Sequence, residues 1–141
     1  FDVTGVDTDR VVGQYSGMSS NYFYLDETLI HNALANIGKQ MKLVTVASGD
    51  VFVTKNDDKH RLAKEFGADI CEMELAGIAI ACERNNVPLF SVKVVSDKAD
   101  EGANVSFLSI VEKGVAGYEK ILPEILKAIK DGATALPPIK N

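Results

Sequence analysis

Helical and extended patterns alternate along the 141 residues, and this predicts an α/β fold: a three-layer sandwich around a mixed, largely parallel central sheet. Three observations carry that prediction. Apolar, β-branched runs at 42–48 (KLVTVAS) and 89–95 (LFSVKVV) have the length and composition of buried strands. Segments with apolar residues at helical spacing alternate with them. Glycine stands where three of those helical segments should stop, at Gly38, Gly67 and Gly132. A chain of this length buries roughly two-thirds of the surface its unfolded form exposes, enough for one domain.

Taken in order, Val11–Tyr15 reads as a short strand and residues 16–21 as a loop. Asp26 is placed to cap a helix over 26–37, whose apolar face is Leu29, Ile30, Ala33, Leu34 and Ile37. The strand at 42–48 leads into the turn Ser48-Gly49-Asp50. Asn56-Asp57-Asp58 cap a helix over 59–66. Ala68–Cys71 is extended, and a helix of small residues runs from about Glu74 to Arg84. Leu89–Val95 should be a central strand, with Lys93 as its one charged residue. That lysine must reach solvent, a carboxylate or a ligand, because an unpaired ammonium is costly to bury. Residues 101–105 are expected to form a loop and Ser106 to cap the last helix. Pro123 should kink or restart that helix, because proline lacks the amide hydrogen the helix needs. Residues 1–130 form the folded unit and 131–141 a tail.

Composition narrows the function. A net charge of −5 offers no attraction to nucleic acid or to an anionic membrane. No apolar run approaches the roughly 20 residues of a membrane-spanning helix. Cys71 and Cys82 lack any CxxC or Cys/His grouping, which predicts free, reduced thiols in a cytoplasmic protein, with no metal and no cofactor. The chain opens at Phe1-Asp2-Val3-Thr4 rather than at methionine, as a piece of a longer protein or a processed one would.

Three strand-exit segments should converge: 48–53, Glu72–Glu74 and Ser96–Asp97. In open α/β sheets the carboxyl ends of strands are where ligands bind. Glutamates near the start of a helix also complement its dipole, and Asp97 can cap a turn towards Ala99, so each acid has a purely structural reading too. Read chemically, a glutamate can accept from two vicinal hydroxyls of a ribose. An acid beside a purine N7 can protonate the departing base, and Phe52 can stack on that base.

Glu72-Met73-Glu74 opening a helix of small residues, Ser48-Gly49-Asp50-x-Phe52, Ser96-Asp97-x-Ala99-Asp100 and Ser106-Phe107 together resemble the methylthioadenosine/S-adenosylhomocysteine nucleosidases. These belong to the purine nucleoside phosphorylase superfamily. The resemblance covers most of residues 1–130. It implies hydrolysis of the N-glycosidic bond of a purine nucleoside, 5′-methylthioadenosine or S-adenosylhomocysteine, by a homodimer. It further implies Asp97 as the catalytic acid at N7 with Ser96 assisting, Glu74 on the ribose hydroxyls and Met73 against the sugar. Phe52 and Val53 would lie at the adenine and Phe107 near the 5′ group. Glu72 belongs to the same substrate-binding set and, like Asp69 and Asp100, supports it. In that family an earlier half of the chain supplies the glutamate that activates water, so this chain resembles the carboxyl-terminal portion. Lysine at position 93 replaces the family's arginine, and Ala76-Gly77 is closer to the phosphorylases. Two alternatives stay open: a phosphate-dependent phosphorylase, and a non-catalytic nucleoside-binding relative or inactive fragment.

Overall fold

Parallel strands cannot be joined by a tight hairpin, so they need a crossover, and the chain supplies one between its two paired strands. The computed structural model describes residues 11–15, 17–37, 41–100 and 103–133, the side chains of 36, 37, 103–113, 128 and 131–133 excepted. Its elements are α1 (Glu27–Ile37), β1 (Val46–Ser48), α2 (Asn56–Phe66), β2 (Ile70–Glu72), α3 (Leu75–Arg84) and α4 (Ala103–Ala133). β1 and β2 pair in parallel, with Val46 opposite Ile70, Ala47 opposite Cys71 and Ser48 opposite Glu72. The crossover between them is α2, which ends at Gly67 in the left-handed conformation (φ 60°) that glycine adopts without steric cost.

α1 starts where the sequence places it. Asp26 Oδ1 accepts the Leu29 amide at 2.8 Å, which satisfies one of the unpaired donors at the helix start. α1 then packs on α4. The contact centres on Ala33 and Ile125, 2% and 6% exposed, with Met41, Phe90, Val92, Ile121 and Ile129 against them. The small Ala33 lets the larger Ile125 approach, and truncating such an isoleucine typically costs about 2–5 kcal/mol.

The α/β class stands, but several elements differ from expectation. Among the described residues the sheet has two strands. The segment 89–95 is extended without joining it. Its polar groups are met elsewhere: Leu89 C=O accepts the Asp26 amide, and the Tyr118 hydroxyl donates to Val92 C=O and accepts from Val94 N–H. Val94 and Val95 are exposed, so the segment is not the buried central strand its composition suggests. β1 is likewise shorter than 42–48, and Leu43 is exposed. Val11–Tyr15 makes a turn closed by Gln14 N–H on Val11 C=O, with Gly13 at φ 82°, rather than a strand.

Two helices start earlier than expected. α2 begins at Asn56, with Lys55 in the N-cap position and no side-chain capping bond, and α4 begins at Ala103, so Ser106 is inside the helix rather than at its cap. α4 also runs unbroken through Pro123 and Gly132. Pro123 removes the hydrogen bond to Glu119, but both residues are exposed, so water can take the freed carbonyl. The Gly38 helix stop and the tail from 134 onward lie outside the described residues. No helix among the described residues is long and apolar enough to cross a membrane.

Candidate active site

The register that sets Ser48 opposite Glu72 brings the exits of both strands to one edge, beside the start of α3. Ser48 Oγ accepts the Ala76 amide at 2.8 Å. Glu72 accepts the Leu75 amide at 2.9 and 3.0 Å and the Glu74 amide at 3.1 Å. The opening of α3 is therefore capped from β1 and β2, and Glu74, its N-cap residue, makes no side-chain capping bond of its own. The sequence sets Glu72 in the substrate-binding group, as a support. Its carboxylate is filled by protein donors and is only 11% exposed, against 69% for the Glu74 side chain.

Lys93 comes from the other direction. Phe90 and Val92 pack towards Ala33 and Ile125, and Lys93 lines the cleft together with Val94 and Val95. Its ammonium lies 2.7 Å from Glu72 Oε2 and 3.9 Å from Glu74 Oε2. Of the outlets open to a lysine here, it takes a carboxylate. Burial alone would raise the Glu72 pKa. The Lys93 ammonium, the Ser48 hydroxyl and the Leu75 and Glu74 amides outweigh that and hold the carboxyl at about 2.

The opposite wall is a local turn. Ser96 Oγ donates to Asp97 Oδ2 at 2.6 Å, and the Ala99 amide donates to Oδ1 at 2.8 Å. Ala99 sits at φ 49°, a conformation that costs an L-residue about 1–2 kcal/mol. Lys59 Nζ, from α2, donates to Lys98 C=O at 3.2 Å and ties the turn to that helix. Cys71 lies between the walls. Burial pushes its thiol up and the Asp97 and Glu72 carboxylates add to this, while Lys59 works against it. Both cysteines are free.

These walls line an open cleft of about 1130 Å³, somewhat above the roughly 300–1,000 Å³ of small-molecule sites. Of the residues singled out in the sequence, Phe52, Val53, Glu72, Met73, Glu74, Ser96 and Asp97 all line it. The side chain of Phe107 lies outside the described residues. Phe52 and Met73 present apolar surface, 43% and 41% exposed. Asp69 also lines the cleft, but its carboxylate is pulled down first by the Thr45 amide and then by Lys42, and it stitches the approaches of β1 and β2 together. Sequence reasoning missed two parts of the site. Lys59 and His60 of α2 lie on the wall, and no local pattern marks them. Ser48, placed by the sequence in a strand-exit turn of the site, is also an anchor for α3, and its register with Glu72 reveals that. Among the described residues no group of His, Cys, Asp or Glu could hold a metal ion.

An α/β crossover with carboxylates and apolar surfaces gathered at the strand exits is a small-molecule site of the type open α/β sheets build. The chain belongs to the phosphorylase superfamily, whose family model matches residues 6–129. It is 37% identical over 100 residues to an aminodeoxyfutalosine nucleosidase of Helicobacter pylori, covering 67% of this chain and 43% of that protein. It is 32% identical over 133 residues to a 5′-methylthioadenosine/S-adenosylhomocysteine nucleosidase of Buchnera aphidicola, covering 89% of this chain and 57% of that one. Among solved structures it superposes with a TM-score of 0.80 on the 5′-methylthioadenosine/S-adenosylhomocysteine nucleosidase of S. pneumoniae bound to a transition-state inhibitor. That match has 28% identity and covers 92% of this chain and 56% of the other. The chain thus spans about half the length of the relatives it matches.

Proposed function

We propose that this chain forms the base- and ribose-binding portion of an enzyme that hydrolyses the N-glycosidic bond of a purine nucleoside. In the complete protein it would supply the carboxyl-terminal portion of a three-layer sandwich. The observation that carries the reading is the pairing, across one cleft, of an exposed glutamate at a helix mouth with an aspartate on the opposite turn, Glu74 and Asp97. Relatives named as nucleosidases support it.

In this mechanism Glu74 accepts hydrogen bonds from the two ribose hydroxyls, for which a carboxylate has acceptor sites to spare. Met73 packs on the sugar, and Phe52 and Val53 on the adenine. Phe107 flanks the 5′ group. As the bond from C1′ to the base breaks, positive charge develops on the sugar. Asp97 delivers a proton to N7, so that adenine leaves neutral and water adds at C1′. Ser96, bonded to Asp97 Oδ2, holds the aspartate towards N7. The base that activates the water is assigned to no residue of this chain.

The substrate we favour is 5′-methylthioadenosine or S-adenosylhomocysteine. The aminodeoxyfutalosine nucleosidase relative, at 37% identity, is the specific reason to test aminodeoxyfutalosine beside them. The protein acts as a homodimer on this reading.

The test is adenine release from each nucleoside with and without phosphate. Release independent of phosphate is expected, and Asp97→Asn should lower it by about 10²–10⁴-fold, the usual contribution of a general acid. Release that requires phosphate would make the enzyme a phosphorylase. Unchanged release in Asp97→Asn would remove Asp97 from its role, and nucleoside binding without release would make the protein a binding module.

A further inference from the structure

Lys93 is a cation between two carboxylates of different state. One, Glu72, is nearly buried and filled by protein donors; the other, Glu74, stands open to the cleft. The same Glu72 oxygen that meets Lys93, Oε2, also accepts the amide of Glu74. The ammonium is thereby joined to the backbone of the residue whose side chain faces the cleft, through a single carboxylate oxygen. At 3.9 Å it also attracts Glu74 Oε2 directly, a distance at which Coulomb attraction is appreciable in a partly desolvated cleft.

We infer that Lys93 is a positioning residue for sugar recognition, fixing the Glu72-Met73-Glu74 turn through Glu72 and drawing the Glu74 carboxylate to the place where it meets the ribose hydroxyls. This rests on the proposed reading of Glu74 as the sugar ligand. Three features make it more than a structural ion pair. Lys93 keeps 28% of its side chain exposed, on the cleft side. It approaches both carboxylates rather than one. It also belongs to the segment that continues into Ser96-Asp97, so one extended run sets the positions of both walls. Without the ammonium, Glu72 would keep its backbone donors, but Glu74 would lose its only cationic neighbour among the ion pairs of the described residues.

The consequence is readable as discrimination between sugars. The probes are adenosine, 2′,3′-dideoxyadenosine and adenine, with dissociation constants measured by calorimetry for the wild-type chain and for Lys93→Met, Lys93→Arg and Glu74→Gln. Lys93→Met should weaken adenosine about tenfold, the worth of one charge-assisted hydrogen bond. It should leave dideoxyadenosine and adenine within about twofold, a difference too small to reflect a lost hydrogen bond. Lys93→Arg, which keeps a cation at the same place, should retain the preference for adenosine.

If Glu74→Gln abolishes that preference and Lys93→Met does not, the sugar reading stands and the role given to Lys93 is wrong. A wild-type chain that binds all three probes alike, or none of them, or a Glu74→Gln variant that keeps the preference, overturns the sugar reading and this inference with it. A second measurement needs no ligand. In a carbon-detected NMR titration Glu72 should move from about 2 back towards the ordinary carboxylate range in Lys93→Met. A Glu72 that stays put would show that the ammonium does not act through it.

Discussion

On one wall of the cleft the Glu72 carboxylate draws a donor from Lys93, 21 positions further along the chain. On the other, Asp97 fills both of its oxygens from within two positions, Ser96 and Ala99. Glu72 joins the local amides of Glu74 and Leu75 to a distant segment, whereas Asp97 is held by its own turn alone. The difference decides what each wall can withstand. Losing a carboxylate that ties distant segments together removes the cap at the start of α3 and the link to Lys93 at once. A carboxylate held by its own turn can be altered with less consequence for stability.

The largest stability effect expected is at Glu72. Glu72→Gln leaves the partly buried Lys93 ammonium with only the more distant, exposed Glu74 carboxylate as counter-charge. It should lower the unfolding free energy by about 2 kcal/mol, less than the 3–5 kcal/mol of a fully buried pair because water still reaches the lysine. Urea denaturation measures it, and a change no larger than that of Ala99→Gly would erase the distinction between the walls.

The pH dependence sharpens the same point. The Glu72 carboxyl ordinarily titrates near 4.5 and is held at about 2 in the folded chain. Its contribution is therefore fully present above about pH 4.5 and is lost as pH falls towards 2. The urea midpoint should drop across that window, and it should drop less in Glu72→Gln. An equal drop in both chains would assign acid sensitivity elsewhere.

A smaller effect is expected where the two walls share a support. Tyr118→Phe removes a hydroxyl that donates to Val92 C=O and accepts from Val94 N–H, on either side of Lys93. A cost of about 1 kcal/mol is expected, that of an ordinary hydrogen bond on a partly exposed group. Smallest is Ala99→Gly, which relieves a positive φ while making the unfolded chain more flexible. It should stabilise by less than about 1 kcal/mol, and a measured destabilisation would mean that the turn is not strained as its geometry indicates.

The same division explains what the sequence made legible. Asp26 as a helix cap, Gly67 as a helix stop and the turn from Asp97 to Ala99 all depend on residues within four positions of each other, and all are found. The strand over 89–95 and the full length of 42–48 were not recoverable this way. Valine and isoleucine favour an extended backbone, but a ladder exists only where a second backbone lies alongside, and composition says nothing of that. The different states of Glu72 and Glu74 were hidden for a similar reason. A glutamate two residues before another gives no sign of which will be filled by the protein and which left open, and one of the donors that fills Glu72 lies 21 positions on. Lys93 itself was visible as a charge in an apolar run, though its partner was not.

The parallel register of Ser48 with Glu72 also has a consequence in time. The turn at Asp97 needs only three neighbouring residues, and a turn of that size samples its native shape in an otherwise unfolded chain. The opposite wall must wait. Ser48 and Glu72 meet only once the intervening segment, α2 included, has closed as a loop, and closure entropy must be met before that contact gives anything back. On refolding, the turn at Asp97 should be in place early and the wall formed by Glu72 and the start of α3 late.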